Sequence, residues 1–129
     1  MRIRILVLTA LLLLVMSVFA HALDATQVSK TLRITYDEPT TNIDATPLTD
    51  LGGTLIQVIA DGTALPDVDV PASAPTGGGS VSQDVSVPFT PNKLVSVDLE
   101  VSAYDTSGNA SEIVPLNLTL DWLPPGKVQ

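Results

Sequence analysis

The stretch from Leu94 to Ser111, LVSVDLEVSAYDTSGNAS, decides the fold because its first half is an alternating strand and its second half is a turn. In the strand, Val97, Leu99, Val101 and Ala103 are separated by single polar residues. A period of two is typical of a strand that buries one face and exposes the other. The pattern therefore predicts a half-buried antiparallel strand.

The turn follows at residues 105–109, DTSGN. Asp, Asn and Gly tolerate left-handed backbone angles, and Asp, Ser and Asn side chains bond to their own main chain. The chain must therefore reverse here. We predict a hairpin whose return strand runs from Ile113 to Trp122, with Trp122 as a lid on the core.

Other segments are predicted as strands on the same grounds of alternation and flanking turn residues. They are a frayed first strand between Leu23 and Ser29, Thr31 to Tyr36, Thr54 to Ala60, a short edge segment around Val68 and Val70, and Val81 to Phe89. Thr54 to Ala60 is apolar on both faces, which predicts a central strand covered on both sides. About seven short strands with turns between them indicate an all-β, immunoglobulin-like Greek-key β-sandwich.

The N-terminal residues 1–22 have the pattern of a signal peptide. Arg2 and Arg4 precede an apolar run, which closes with the small residues Ala20 and Ala22. This predicts a signal helix and export to the periplasm or the cell exterior, with residues 23–129 as one β-sandwich domain. The alternative is an uncleaved leader that anchors the domain in the membrane.

Charge restricts the partners. After the predicted leader, four basic residues stand against fourteen acidic ones, a formal net charge of −10. Such a chain repels phosphate backbones and anionic membrane surfaces. We therefore expect no nucleic-acid partner, and membrane contact only through an uncleaved leader.

The sequence also restricts the chemistry. It contains no cysteine, and its one histidine, His21, lies in the predicted leader. A Ser-His or Cys-His nucleophile and an ordinary zinc site need imidazole or thiolate. We predict that the protein is not an enzyme and holds no cofactor. Calcium is the weak alternative, since carboxylates occur at Asp67 and Asp69 and in residues 105–109, although turn formation accounts for the latter.

Three groups of residues resemble the fibronectin type III family in its bacterial, exported form. Tyr36 stands where the family usually has tryptophan, and Pro39 follows at the family's spacing. Residues 39–53, PTTNIDATPLTDLGG, resemble the loop between the family's second and third strands, and AYDTSGNAS resembles its sixth strand and following turn. The resemblance implies a sandwich without catalytic residues. Val97 departs from it, because the family has a corner tyrosine there.

These observations predict a noncatalytic module that binds a partner protein through loops on a rigid scaffold. A glycan is the less favoured ligand, because few aromatic residues follow the leader and most look buried. The alternatives are a structural subunit that assembles by edge-strand exchange at the meagre first strand, and a membrane-tethered display domain. The candidate interaction residues are Asn42, Asp44, Asp50, Asp67, Asp69, Asp105, Ser107 and Asn109.

Overall fold

The computed structural model describes residues 22–128, which form eight β-strands. The strands are β1 (Asp24–Val28), β2 (Thr31–Asp37), β3 (Leu51–Ala60), β4 (Thr63–Ala64), β5 (Val68–Pro71), β6 (Ser80–Ser86), β7 (Leu94–Asp105) and β8 (Val114–Asp121). Between residues 22 and 128 there is no helix with the length and apolar character to span a membrane. The predicted signal helix lies outside the described residues.

The strands form two antiparallel sheets. One sheet has the order β1-β2-β6, and the other has the order β4-β3-β7-β8 with β5 also paired to β3. Strands that are neighbours in the chain are split between sheets, as at β2 and β3, so the chain crosses repeatedly from one layer to the other. The all-β prediction is confirmed, and the two layers form a β-sandwich.

The core lies between the two sheets and is built from alternate residues of each. Leu32 and Ile34 from β2 and Val97 and Leu99 from β7 have no exposed surface. Ile56 of β3 is equally enclosed. Burying such side chains contributes about 1.5–3 kcal/mol each. The alternation predicted for β7 is confirmed, because its apolar positions face this core.

Three details differ from the expectations. β3 begins at Leu51, and its outer residues Leu55 and Ile59 are only half-buried, so the prediction of cover on both sides is wrong. The reason is that a two-layer sandwich has no third layer to lie on β3. Phe89 lies beyond the end of β6 and is 44% exposed. The hairpin strand β4 raises the number of strands to eight.

Three connecting segments gather at one end of the sandwich, here called the loop end. They are residues 38–50 between β2 and β3, residues 72–79 between β5 and β6, and residues 106–113 between β7 and β8. The register explains this arrangement, since Asp105 pairs with Leu51 and Pro71 pairs with Gly53. The end of β7 and the end of β5 therefore both lie beside the start of β3.

The opposite end carries the Asp61-Gly62 hairpin turn. Asp61 has a φ of 47° and Gly62 a φ of 79°, as a tight hairpin between β3 and β4 requires. Asp61 accepts a hydrogen bond from the Ser96 amide at 2.9 Å and forms an ion pair with Lys93. Donation from Lys93, with help from the Ser96 amide, lowers the pKa of Asp61.

Aromatic side chains cover the core at this same end. Trp122 is 8% exposed, which confirms its prediction as a core lid. Its ring lies edge-on to Phe89 with 5.2 Å between centroids, and the Lys30 ammonium stands 4.3 Å above the Phe89 ring. Within the described residues the buried Trp122 Nε1 has no hydrogen-bond acceptor.

Candidate interaction groove

An open groove of about 840 Å³ lies at the loop end, between residues 38–50 and residues 106–113. We call it the loop groove. One wall consists of Pro39, Thr41, Asn42, Ile43 and Leu48. The floor and the other wall consist of Leu51, residues 103–105, residues 109–112 and Val114.

The first wall is a small hairpin inside residues 38–50. The Asn42 amide donates to the Thr46 carbonyl at 2.8 Å, and the Leu48 amide donates to the Thr40 carbonyl at 2.9 Å. Asp44 Oδ1 accepts from both the amide and the hydroxyl of Thr46, at 3.0 and 2.6 Å. These bonds, the hydroxyl first, lower the pKa of Asp44. Asp44 therefore shapes the hairpin.

Ile43 occupies the tip of this hairpin and is 97% exposed. Leu48, at the base of the same hairpin, is buried and fixes the hairpin to the sandwich. A large aliphatic side chain held in water on an ordered turn contributes nothing to the core. Ile43 is therefore available for contact with another molecule.

The second wall is the turn that the sequence predicted at residues 105–109. Asp105 Oδ1 accepts from the amides of Ser107 and Asn109 at 2.9 and 2.8 Å, and Oδ2 accepts from Asn109 Nδ2 at 2.7 Å. Gly108 provides the left-handed position with a φ of 88°. These bonds lower the pKa of Asp105, with the Asn109 side chain as the largest cause. Asp105 and Asn109 thus bond to each other in the turn while also lining the groove.

Tyr104 forms the floor of the loop groove, and two glycines allow its position. A Cβ at Gly52 would lie 2.7 Å from Tyr104 Cε2, and a Cβ at Gly53 would lie 2.7 Å from the Tyr104 hydroxyl. The ring therefore lies directly on the backbone of β3. Its hydroxyl donates to Asp69 at 2.6 Å, which raises the pKa of Tyr104.

Backbone bonds hold the walls at a fixed separation. The Thr106 amide donates to the Asp50 carbonyl at 2.9 Å, which joins the second wall to the end of the first. The Leu51 amide donates to the Pro75 carbonyl at 2.9 Å, which joins residues 72–79 to the same point. Bonds of this kind preorganise the groove, so that a ligand need not order it on binding.

Glu38 secures residues 72–79 from below. The residue is 5% exposed, and its carboxylate accepts from the Ser73 amide at 2.8 Å, the Ser73 hydroxyl at 2.5 Å and the Gly79 amide at 3.1 Å. Three donors replace the water that the charged group lost on burial. Gly77 passes so close to Pro39 that a Cβ would lie 1.8 Å from the Pro39 carbonyl oxygen.

The eight residues predicted as interaction residues divide into three groups. Asn42, Asp105 and Asn109 line the loop groove, and Asp44 and Ser107 belong to its two walls without lining it. Asp50 lies at the junction of the walls. Asp67 and Asp69 lie apart, immediately before and on the edge strand β5, with Asp67 accepting from Gln57 at 3.4 Å and Asp69 from Tyr104.

Sequence reasoning missed the apolar part of the site. Ile43, Val114 and the acidic Glu112 line the groove but were not predicted as interaction residues. The available signal was Ile43 itself, a single large aliphatic residue inside the polar run TTNIDAT. Ile43 is not part of an alternating apolar pattern, so a search for strands by periodicity does not single it out.

The charges of the groove have one sign. Among residues 22–128, its lining includes the carboxylates of Asp105 and Glu112 and neither lysine nor arginine. Between residues 22 and 128, no group of three or more His, Cys, Asp or Glu side chains is arranged to hold a metal ion. In Asp105, both carboxylate oxygens already accept bonds from the turn.

Comparisons with protein-family models, with curated proteins and with solved structures give no match to this chain. The geometry of the loop groove is therefore the basis on which a function can be argued.

Proposed function

We propose that this chain is a noncatalytic, exported interaction module that binds a partner protein in the loop groove. The observation that carries the proposal is Ile43, which is 97% exposed at the tip of a hydrogen-bonded hairpin on the groove wall. Contact surfaces of this kind combine a few apolar anchors with a polar rim.

The chemistry of the partner follows from the groove. Its exposed aliphatic residues, Ile43 and Val114, suit an aliphatic side chain of the partner. Its carboxylates, Asp105 and Glu112, suit flanking lysine or arginine. We therefore propose a protein segment that presents an aliphatic residue next to basic ones.

A glycan fits the groove less well. Sugar sites use the open face of an aromatic ring, and the groove contains one aromatic residue, Tyr104. Its ring lies against Gly52 and its hydroxyl is bonded to Asp69. One face of the ring therefore lies on β3, so a sugar ring could cover only its other face.

A fibronectin type III-like Greek-key fold is part of the proposal. The two sheet orders, β1-β2-β6 and β4-β3-β7-β8, support it because immunoglobulin-like sandwiches divide their strands between two antiparallel sheets with crossing connections. In that arrangement the loops at one end of the sandwich are the usual place for contacts with partners.

The alternative function, assembly by strand exchange at β1, has less support. The motive for it was an unpaired edge beside β1, and one side chain of β1 already bonds to the other sheet at this point. Gln27 Nε2 donates to the Asp121 carbonyl at 3.0 Å, and the Asp121 amide donates to Gln27 Oε1 at 2.8 Å. Export and the tethered display alternative both depend on residues 1–22.

The test compares capture by three immobilised proteins: the wild type, Ile43→Ser and Val128→Ser. Val128 is fully exposed and lies outside the groove, so it is a matched control for losing an exposed aliphatic residue. We expect a protein from the envelope or extracellular fraction that the wild type and Val128→Ser retain and Ile43→Ser loses.

The captured protein is then purified and titrated against each variant by calorimetry. Ile43→Ser should weaken binding by about tenfold to a hundredfold, and added salt should weaken binding of the wild type. Equal capture by all three proteins, or binding that salt does not weaken, would contradict the proposed site and partner chemistry.

A further inference from the structure

We propose that two copies of this chain pair through β6, edge to edge and antiparallel, across a two-fold axis at Gln83. β6 is the outer strand of the first sheet, where its one neighbour is β2. The proposal concerns a different surface from the loop groove and does not depend on it.

The backbone groups that β6 leaves free follow from its register with β2. The Glu38 amide donates to the Gly79 carbonyl at 2.9 Å, and the next pair along the register is Asp37 with Ser80. Hydrogen-bonded and non-hydrogen-bonded pairs alternate in an antiparallel ladder. Ser80, Ser82, Asp84 and Ser86 therefore direct their N–H and C=O groups away from β2, towards the open edge.

The edge strands β5 and β8 of the second sheet are protected, whereas β6 and the shorter, five-residue β1 of the first sheet are not. β5 ends at Pro71, and β8 has Pro115 as its second residue and is bonded at Asp121 by Gln27. Proline and covering side chains are usual protections of edge strands. β6 contains no proline and no lysine, and its one internal cap is Gln83 Nε2, which donates to the Asp84 carbonyl at 3.0 Å.

A second copy of β6 is the occupant that this edge fits, because the strand complements itself in one register. With Gln83 on the axis, Ser82 stands opposite Asp84 of the second copy, and Ser80 stands opposite Ser86. The N–H and C=O groups of all four outward residues then bond to the second copy. The Asp84 carbonyl, which already accepts a bond from Gln83, can accept this further bond with its second lone pair. No like charges stand directly opposite each other.

Asp84 is the one charged residue on β6, and its charge is already balanced. Arg33 holds it with two bonds, Nε to Oδ1 at 2.8 Å and Nη2 to Oδ2 at 3.0 Å. The two Asp84 carboxylates of a pair are thus diagonal neighbours that each carry their own guanidinium. On the core side, Val81 stands opposite Val85 of the second copy, which covers the half-buried Val81.

Sedimentation equilibrium of the protein obtained by expressing the full chain tests the proposal. At about 0.5 M salt, which screens the repulsion between two acidic copies, we expect a dimer to form between about 10 µM and 1 mM protein. Ser82→Pro removes an outward N–H and no bond to β2, and it should weaken dimerisation about tenfold or more.

Thr119→Pro is the matched control, because Thr119 has the same outward orientation as Asp121 on the edge of β8. It should leave dimerisation unchanged. Any association through the N-terminal residues would affect both variants equally. A wild type that remains monomeric, or equal dimerisation of the wild type and Ser82→Pro, would overturn the proposal.

Cysteine substitution tests the register independently and requires no change of backbone. The natural chain has no cysteine, so a disulfide can form only between two copies of a single-cysteine variant. Gln83→Cys places two thiols opposite each other in a non-hydrogen-bonded pair, where Cβ atoms are about 4.5–5.5 Å apart. We expect it to oxidise to a covalent dimer.

Val81→Cys is the control, since its two copies lie four residues apart along the strands, about 13 Å. It should remain reduced under the same conditions. Equal cross-linking of the two variants, or none in Gln83→Cys, would overturn the two-fold register even if sedimentation detected a dimer.

Discussion

Glu38 shows how a single residue supports the loop end. It is the one charged residue among the buried side chains of residues 22–128, and its carboxylate accepts three hydrogen bonds from Ser73 and Gly79. A buried charge is tolerated only when donors replace its hydration. The segment 72–79 is therefore held by one side chain that reaches 35 residues along the chain.

We predict that Glu38→Ala lowers the free energy of unfolding by about 2–3 kcal/mol, because it removes three hydrogen bonds to a charged group. Urea unfolding at pH 7 measures this. Glu112→Ala, at an exposed position on the groove wall, is the control and should stay within about 0.5 kcal/mol of the wild type. An equally small effect at Glu38 would mean that water reaches the three donors.

Asp105 makes the turn at the loop end sensitive to pH. Donation from Asn109 and from turn amides lowers its pKa from the ordinary 3.8. A lowered pKa in the folded state means that the stabilisation is present above the unfolded value and is lost as the pH falls through the folded value. The relevant window therefore lies below pH 3.8.

We predict that Asp105→Asn is less stable than the wild type at neutral pH and that the difference shrinks as the pH falls from about 5 to about 2. Chemical unfolding across this range measures the difference. Comparing the two proteins removes the effect of the other carboxylates, which titrate in both. A difference that does not change with pH would show that shape, and not the charge of Asp105, stabilises the turn.

At the scale of elements, local pattern predicted the strands but not the contacts between them. β7 and β8 were predicted well because apolar and polar residues alternate along most of each strand. β3 was predicted from Thr54 although it begins at Leu51, because strands are poor in glycine, while Gly52 and Gly53 lie within the strand beneath Tyr104.

The walls of the candidate site were partly predictable for the same reason. The turn 105–109 is local chemistry, so its bonds could be read from residue types. The roles of Glu38 and Gln27 could not, because their partners lie 35 to 94 residues away. Such contacts follow from the packing of the sheets and leave no periodic signal in the chain.

Gln27 closes the corner where the two sheets meet. Its amide imitates a strand by exchanging two bonds with the backbone of Asp121. β1 is otherwise held only by β2 and is mostly exposed. The side chain therefore links the weakest strand of one sheet to the edge strand of the other.

We predict that Gln27→Ala accelerates hydrogen exchange in β1 and at the Asp121 amide by about tenfold, while the exchange of β7 changes far less. Native-state exchange followed by mass spectrometry or NMR measures both regions in one experiment. Gln57→Ala is the matched control, because its amide makes a single long bond, 3.4 Å, to Asp67. Unchanged exchange in β1 would show that packing alone closes the corner.

At the scale of the whole molecule, acidic residues outnumber basic ones. The acids Asp44, Asp50, Asp105 and Glu112 lie at the loop end, and Lys30 lies above Phe89 at the other end. Residues 22–128 contain fourteen acidic and four basic residues, and two ion pairs among them, Arg33 with Asp84 and Lys93 with Asp61, neutralise a small part of this acidic excess. Exposed pairs contribute little each, so self-repulsion should dominate the electrostatics of the domain.

We therefore predict that the free energy of unfolding rises, by roughly 1 kcal/mol, when salt is raised from about 20 mM to about 0.5 M, because salt screens the repulsion more than it weakens two exposed pairs. Urea unfolding at several salt concentrations measures the slope. The double variant Asp98→Asn, Glu100→Gln removes two charges from the outer face of β7, outside both ion pairs, and should show a smaller slope. A free energy of unfolding that falls with salt would mean that the two ion pairs outweigh the repulsion among the unpaired acids.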